Sequence, residues 1–86
     1  MVYKVPDHIL HSKLDDEIAI LNLRNGEYYS LNHTGAFIWS LICEGNSYEE
    51  MVTQLLNEYH EAGNEIETDI SDLLGVLKSN GLVEEI

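Results

Sequence analysis

Gly26-Glu-Tyr-Tyr-Ser-Leu-Asn-His-Thr-Gly-Ala-Phe-Ile-Trp-Ser-Leu-Ile42 reads as the close of a hairpin, a β-strand, a helix cap and an apolar helix. Asn25-Gly26 opens the reading, because both central residues of a type I′ turn need positive φ and Asn-Gly tolerates it. A two-residue loop there pairs Arg24 with Glu27. Leu23, Asn22, Leu21 and Ile20 then fall opposite Tyr28, Tyr29, Ser30 and Leu31. In that register Glu27, Tyr29 and Leu31 turn their amides toward the preceding strand, while Tyr28 and Ser30 turn theirs outward. Asn32 can cap the helix that follows. From Ala36 to Cys43 every residue but Ser40 is apolar, which predicts a helix enclosed by protein on most sides.

Working upstream, Ile9–Leu14 and Glu17–Leu23 are β-prone runs separated by Asp15-Asp16. With Glu27–Leu31 they make a three-stranded meander in order 1-2-3, the third strand at an edge. Downstream, Glu44-Gly45 ends the first helix, and Ser47-x-x-Glu50 is a capping box that opens a second. Tyr48, Met51, Val52, Leu55 and Tyr59 keep helical spacing until Gly63-Asn64 interrupts it. Thr68 is positioned to cap a third helix, with the stripe Ile70, Leu73, Leu74 and Leu77 and a stop at Asn80-Gly81. Leu82-Val83 suggests a short extended return. The fold expected is an α+β domain, winged-helix-turn-helix-like, with a three-stranded antiparallel N-terminal meander followed by three helices, all in a single domain over residues 1–86.

The 86 residues carry 16 acidic side chains against four fixed cations, a formal charge of −12. From Glu44 to the end there are eleven carboxylates and one lysine, Lys78. Such a surface repels phosphate backbones and anionic membranes and would steer a basic partner. An apolar content of 44% excludes a disordered tail. The N-terminal Met-Val-Tyr-Lys-Val-Pro lacks the apolar core of a signal peptide. A lone cysteine, Cys43, in an apolar run fits a buried thiol in a reducing compartment, so a cytoplasmic location is expected.

Signatures of catalysis are missing. The glycines are scattered at turns and caps, with neither a nucleophile elbow nor a phosphate-binding loop. Cys43 has no base nearby in sequence. His8 and His11 would point to opposite faces of an extended segment, and without thiolate partners they do not make a zinc site. His33 at a helix start and His60 at a helix end are explained by their places. Trp39 reads as core, its indole N–H needing one partner. No enzyme, cofactor or metal is expected.

The last helix would be the recognition helix of a DNA reader, yet Asp69 and Asp72 oppose the single Lys78 there, so duplex DNA would be repelled. What remains is the third strand. Glu27-Tyr-Tyr-Ser-Leu31 has none of the prolines or lysines that blunt exposed edges. Either a guest peptide adds to it as a fourth strand, or Met1–Pro6 or Leu82–Ile86 covers it.

Ile20-Leu-Asn-Leu-Arg-Asn-Gly-Glu-Tyr-Tyr-Ser-Leu-Asn-His-Thr-Gly-Ala36, followed by Gly45, Ser47-x-x-Glu50, Asp69-Ile70, Leu73-Leu74, Leu77 and Gly81-Leu-Val83, resembles the PqqD-like family. These are the precursor-peptide recognition elements of ribosomally synthesised, modified peptides. The likeness runs from about Ile9 to Val83 and is greatest to the stand-alone members of lasso-peptide pathways. It implies a non-catalytic domain that binds a precursor's leader peptide along Glu27, Tyr28, Tyr29, Ser30 and Leu31, in a cleft against the helix Thr68–Asn80. Ile70, Leu73 and Val76 would belong to that helix's share of the site, with Asp69 and Asp72 at the rim. The implied partners are the leader peptide and a leader peptidase or other modifying enzyme, with neither nucleic acid nor membrane. Two other classes stay open: a regulator that acts through protein contacts, and an adaptor for an enzyme outside peptide modification.

Overall fold

Ile9–Leu14, Glu17–Asn22 and Tyr28–Leu31 form the three antiparallel strands expected of the β-prone runs, the second ending one residue before Leu23 and the third starting one residue after Glu27. In the computed structural model, which describes residues 2–59 and 63–86, they are β2, β3 and β4, in that spatial order. They are followed by α1 (His33–Cys43), α2 (Tyr48–Tyr59) and α3 (Gly63–Ser79). Two short strands at the chain ends, β1 (Tyr3–Lys4) and β5 (Glu84–Glu85), make a separate two-stranded sheet. Strands first and helices after make this an α+β fold.

The helix termini follow the capping residues. The Gly35 amide donates to Asn32 Oδ1 at 3.0 Å, which satisfies one of the free donors that open α1. The box at α2 is reciprocal: the Ser47 amide donates to Glu50 Oε1 at 2.7 Å and the Glu50 amide to Ser47 Oγ at 3.2 Å. α1 and α3 end alike. Gly45 and Gly81 adopt φ of +87° and +72°, and the amides of Asn46 and Leu82 reach back to the carbonyls of Leu41 and Leu77. That pattern needs a left-handed residue after the helix, which glycine supplies without a Cβ clash.

α3 begins five residues before Thr68. The reason is Ile66, buried at 2% exposure: it continues the stripe of Ile70, Leu74 and Leu77 by one more turn, so packing draws the helix back to Gly63. Thr68 is therefore exposed in the helix, not its cap. His60 lies outside the described residues.

The core joins the inner face of the sheet (Ile9, Ile18, Ile20) to α1 (Ala36, Ile38, Trp39, Leu41, Ile42), α2 (Met51, Leu55) and α3, with Tyr3, Leu82 and Val83 closing it. α1 is enclosed as its composition predicts. Cys43 is not: it is exposed at the last turn of α1, because Leu41 and Ile42 take the inward positions and leave it facing out. Its thiol is still pushed upward by partial desolvation and by the charge of Glu44. Trp39 Nε1 is buried without a hydrogen-bond partner among the described residues; the His11 ring stands edge-on to it, centroids 5.6 Å apart.

The β3–β4 connection differs from the two-residue loop. Ile18, Ala19, Ile20 and Leu21 pair with Leu31, Ser30, Tyr29 and Tyr28, two residues away from the expected register, and Arg24 does not oppose Glu27. Asn22 is the cause. Its buried side chain accepts the Arg24 amide at 2.9 Å, and its carbonyl accepts the Gly26 amide at 2.8 Å. The loop becomes Leu23–Gly26, in which only Gly26 has positive φ. A slip of two keeps every side chain on its expected face.

The β2–β3 turn is the tight two-residue loop Asp15-Asp16, and Asp15 sits at φ 56°. That conformation costs an L residue about 1 kcal/mol, partly offset by the unfolded-state entropy that glycine adds. Asp15→Gly is therefore expected to stabilise by about 0.5 kcal/mol, a rise of roughly 3 °C in Tm. A circular dichroism melt checks it, and a lowered Tm would contradict it.

Candidate functional site

The termini leave β4 open. Tyr3 pairs with Glu85 and Lys4 with Glu84, the Ile86 amide donates to the Val2 carbonyl, and Lys4–Glu84 and Lys78–Glu85 ion pairs (3.6 and 3.0 Å) add to the join. Both chain ends are thereby held away from β4, whose only strand neighbour among the described residues is β3. Among the described residues, neither Val2–Pro6 nor Leu82–Ile86 pairs with that edge.

The groups that the edge offers follow from the ladder. The Asn22 amide donates to the Glu27 carbonyl at 3.0 Å, so Asn22 and Glu27 form a bonded pair. Alternation then makes Ile20–Tyr29 and Ile18–Leu31 bonded pairs. Tyr29 and Leu31 direct their N–H and C=O into the sheet. Tyr28 and Ser30 direct theirs outward. The inference from the shorter loop thus survives the register change, because a shift of two preserves parity.

Side chains divide the same way. Tyr29 and Leu31 lie half-buried on the core face, while Tyr28, 72% exposed, and Ser30 lie on the outer face. Leu31 rests on the first turn of α1 at Gly35, where an added Cβ would stand 3.3 Å from Leu31 Cβ and 3.4 Å from Asn32 Oδ1. Glycine is what lets the end of β4 lie this close to α1.

α3 runs beside the open edge. Tyr29 Oη lies 3.3 Å from Asn80 Oδ1 and 3.3 Å from Glu27 Oε2, and its single proton serves one acceptor at a time. Partial burial, and then the Glu27 carboxylate, hold that phenol above its ordinary pKa. Asp69, Asp72, Leu73, Val76 and Asn80 recur at helical spacing and share the α3 face nearest β4. At the far end of β4, Asn32, Thr34, Gly35, Ile38, Asp69, Asp72 and Leu73 line a hollow of about 340 Å³. The start of β4 therefore meets the C-terminal end of α3, and its end meets the hollow beside the middle of α3.

The structure brings Glu27 to Leu31, Asp69, Asp72 and Leu73 to this cleft. Leu73 is half-buried against the core, and Val76 is 54% exposed. Ile70 differs: at 0% exposure it belongs wholly to the core and has no surface for a guest to touch. Thr34, Ile38 and Asn80 were not assigned to the site from sequence. The apolar run around Ile38 signalled burial, and only tertiary placement shows that one side of that helix start borders a hollow.

Among the described residues no group of three or more His, Cys, Asp or Glu could hold a metal ion, and no helix is long and apolar enough to cross a membrane. The acidic α3 face is also wrong for phosphate. We expect no binding of duplex DNA at moderate salt; sub-micromolar, salt-sensitive binding in an anisotropy titration would contradict this.

Residues 17–83 match the family model described as coenzyme PQQ synthesis protein D (PqqD). No significant match was found among curated protein sequences. Among solved structures, one described as TbiB1 in complex with the TbiA(beta) leader peptide has a TM-score of 0.91 and 35% identity over 96% of both chains. A lasso peptide synthetase B1 complexed with the leader peptide has a TM-score of 0.90 and 29% identity over 99% of this chain and 100% of the other. A family model matching well over half of the sequence, and a backbone this close to both, leave one conclusion: the chain belongs to the PqqD family.

Proposed function

We propose that this protein is a non-catalytic recognition element that captures the leader segment of a ribosomally made precursor peptide and presents it to a leader peptidase or other modifying enzyme, in lasso-peptide biosynthesis. The leader adds to the sheet as a strand beside β4. The outward N–H and C=O groups of Tyr28 and Ser30 hold its main chain, and its inward side chains lie over Leu73 and Val76 of α3. Main-chain pairing gives affinity that depends little on sequence, and the side-chain hollow gives selectivity. An exposed, unpaired Cys43 suits work in the cytoplasm.

The single observation that carries this reading is the open edge of β4 facing α3. It is supported by two relatives of nearly identical backbone, each solved with a leader peptide. The test is calorimetry with the leader of the precursor encoded beside this chain's gene. Binding of about 8 to 12 kcal/mol, micromolar to nanomolar, is expected. A folded protein that gives no heat would contradict the reading, and so would turnover of the precursor by this protein alone.

A further inference from the structure

We infer that the cleft selects a leader with a lysine or arginine two positions from an apolar anchor, the basic side chain lying in the hollow beside Asp69 and Asp72. The inference rests on the peptide-binding reading above and deepens it.

The argument starts from parity. A guest strand beside β4 bonds to Tyr28 and Ser30, so its residues opposite Tyr29 and Leu31 point to the inner face, as those two do. These two guest positions are two apart in the peptide. The one opposite Tyr29 lies over the Val76 and Asn80 end of α3. The one opposite Leu31 lies over the hollow of about 340 Å³.

The two ends differ in chemistry. Val76 offers an apolar surface, and a side chain there gains by burying carbon. In the hollow, Ile38, Leu73 and Gly35 form an apolar floor, and Asp69 and Asp72 stand at the same opening. An aliphatic stem with a cationic head matches both, stem on the floor and head at the carboxylates.

None of the chain's own fixed cations lines this hollow. Lys4 and Lys78 pair with Glu84 and Glu85, Lys13 lines a different hollow with Asp16 and His33, and Arg24 sits at the opposite end of the sheet. The dipole of α3 does not compensate either, because Asp69 and Asp72 lie beyond its first turn. The N-terminus of α1 does border the hollow and carries roughly half a positive charge. Its cap is already filled by Asn32, and two full carboxylates outweigh it.

A displayed library of random peptides of about a dozen residues, panned against the full chain and against an Asp69→Asn, Asp72→Asn double variant, tests this. The wild-type pool is expected to carry Lys or Arg two positions from an apolar residue. The variant pool is expected to keep the apolar residue and lose the basic bias. For one selected lysine peptide the double variant should bind about three- to tenfold more weakly, a range set by the exposure of the two carboxylates. The glutamine version of that peptide should change less than twofold. Equal basic bias on both proteins would overturn the inference, as would a neutral or acidic residue at that position on the wild type. A Ser30→Pro protein separates the two claims. Peptides lost on Ser30→Pro but without the basic bias overturn only the charge assignment, whereas peptides that bind Ser30→Pro as well as wild type overturn the edge itself.

Discussion

Ser30→Pro is expected to fold and melt like the unchanged protein while binding its leader peptide poorly. The Ser30 amide points away from β3, so proline removes no ladder bond, and its small, exposed side chain does no core packing. Edge strands tolerate proline when the missing N–H faced solvent. The guest strand, however, loses a donor and leaves one of its own carbonyls unpaired, a cost of about 1 to 3 kcal/mol, and the pyrrolidine ring occupies part of its lane. Tyr29→Pro should do the reverse. That amide bonds into the sheet toward Ile20, and its ring packs on the core. Losing both should destabilise by about 2 kcal/mol or more, close to 10 °C in a domain of this size. Melts paired with peptide titrations separate the two. A Ser30→Pro protein that binds normally would place the peptide elsewhere.

Leu73→Ala is the second large effect. Leu73 is half-buried, lines the hollow and touches the core, so truncation removes an apolar wall from under the guest. Central apolar anchors carry most binding energy at interfaces, while rim charges tune encounter and selectivity. Leu73→Ala should cost about 1 to 3 kcal/mol of binding, and either Asp69→Asn or Asp72→Asn alone under about 1 kcal/mol. A thermal melt of Leu73→Ala has to accompany the titration, since the same leucine supports the fold. Should Asp69→Asn weaken binding more than Leu73→Ala at physiological salt, charge rather than apolar contact would hold the leader.

Gly35→Ala probes the support of β4 itself. Alanine favours a helix by about 1 kcal/mol over glycine, but the new methyl would press on Leu31 Cβ, which moves only with the strand. Stability is expected to change by less than about 1 kcal/mol, as the two effects oppose. Leader affinity is expected to fall, because the end of β4 shifts. Unchanged affinity would show that the position of Leu31 does not matter to the guest.

The local signals in the sequence were strong wherever one residue's chemistry decides the geometry. Asn32, the Ser47–Glu50 box, Gly45 and Gly81 each satisfy a specific set of backbone groups, so they mark helix ends without tertiary help. The sequence was misleading where a distant or buried partner decides. Asn25-Gly26 has the composition of a two-residue turn, yet the buried Asn22 side chain widens the loop. Ile66 lengthens α3 against the local cue of Thr68. The β1–β5 pair links residues eighty or more positions apart: Leu82-Val83 hinted at an extended return, but nothing local named its partner. Of the site, β4 and its outward amides were legible because parity survives a two-residue slip. Ile70 was assigned to the cleft by the family resemblance, and only the packing shows that it turns inward. The hollow between α1 and α3 was invisible, being made by elements that meet only in the fold.

Amide hydrogen exchange with and without a saturating leader peptide tests the central claim most directly. In the free protein the Tyr28 and Ser30 amides face solvent and should exchange quickly, while those of Tyr29 and Leu31 are held in the ladder. At a peptide concentration of about 100 times Kd, the first two should slow roughly a hundredfold, joined by no comparable change in β1 or β5. Peptide binding that leaves Tyr28 and Ser30 exchanging as before would contradict β-augmentation on this edge.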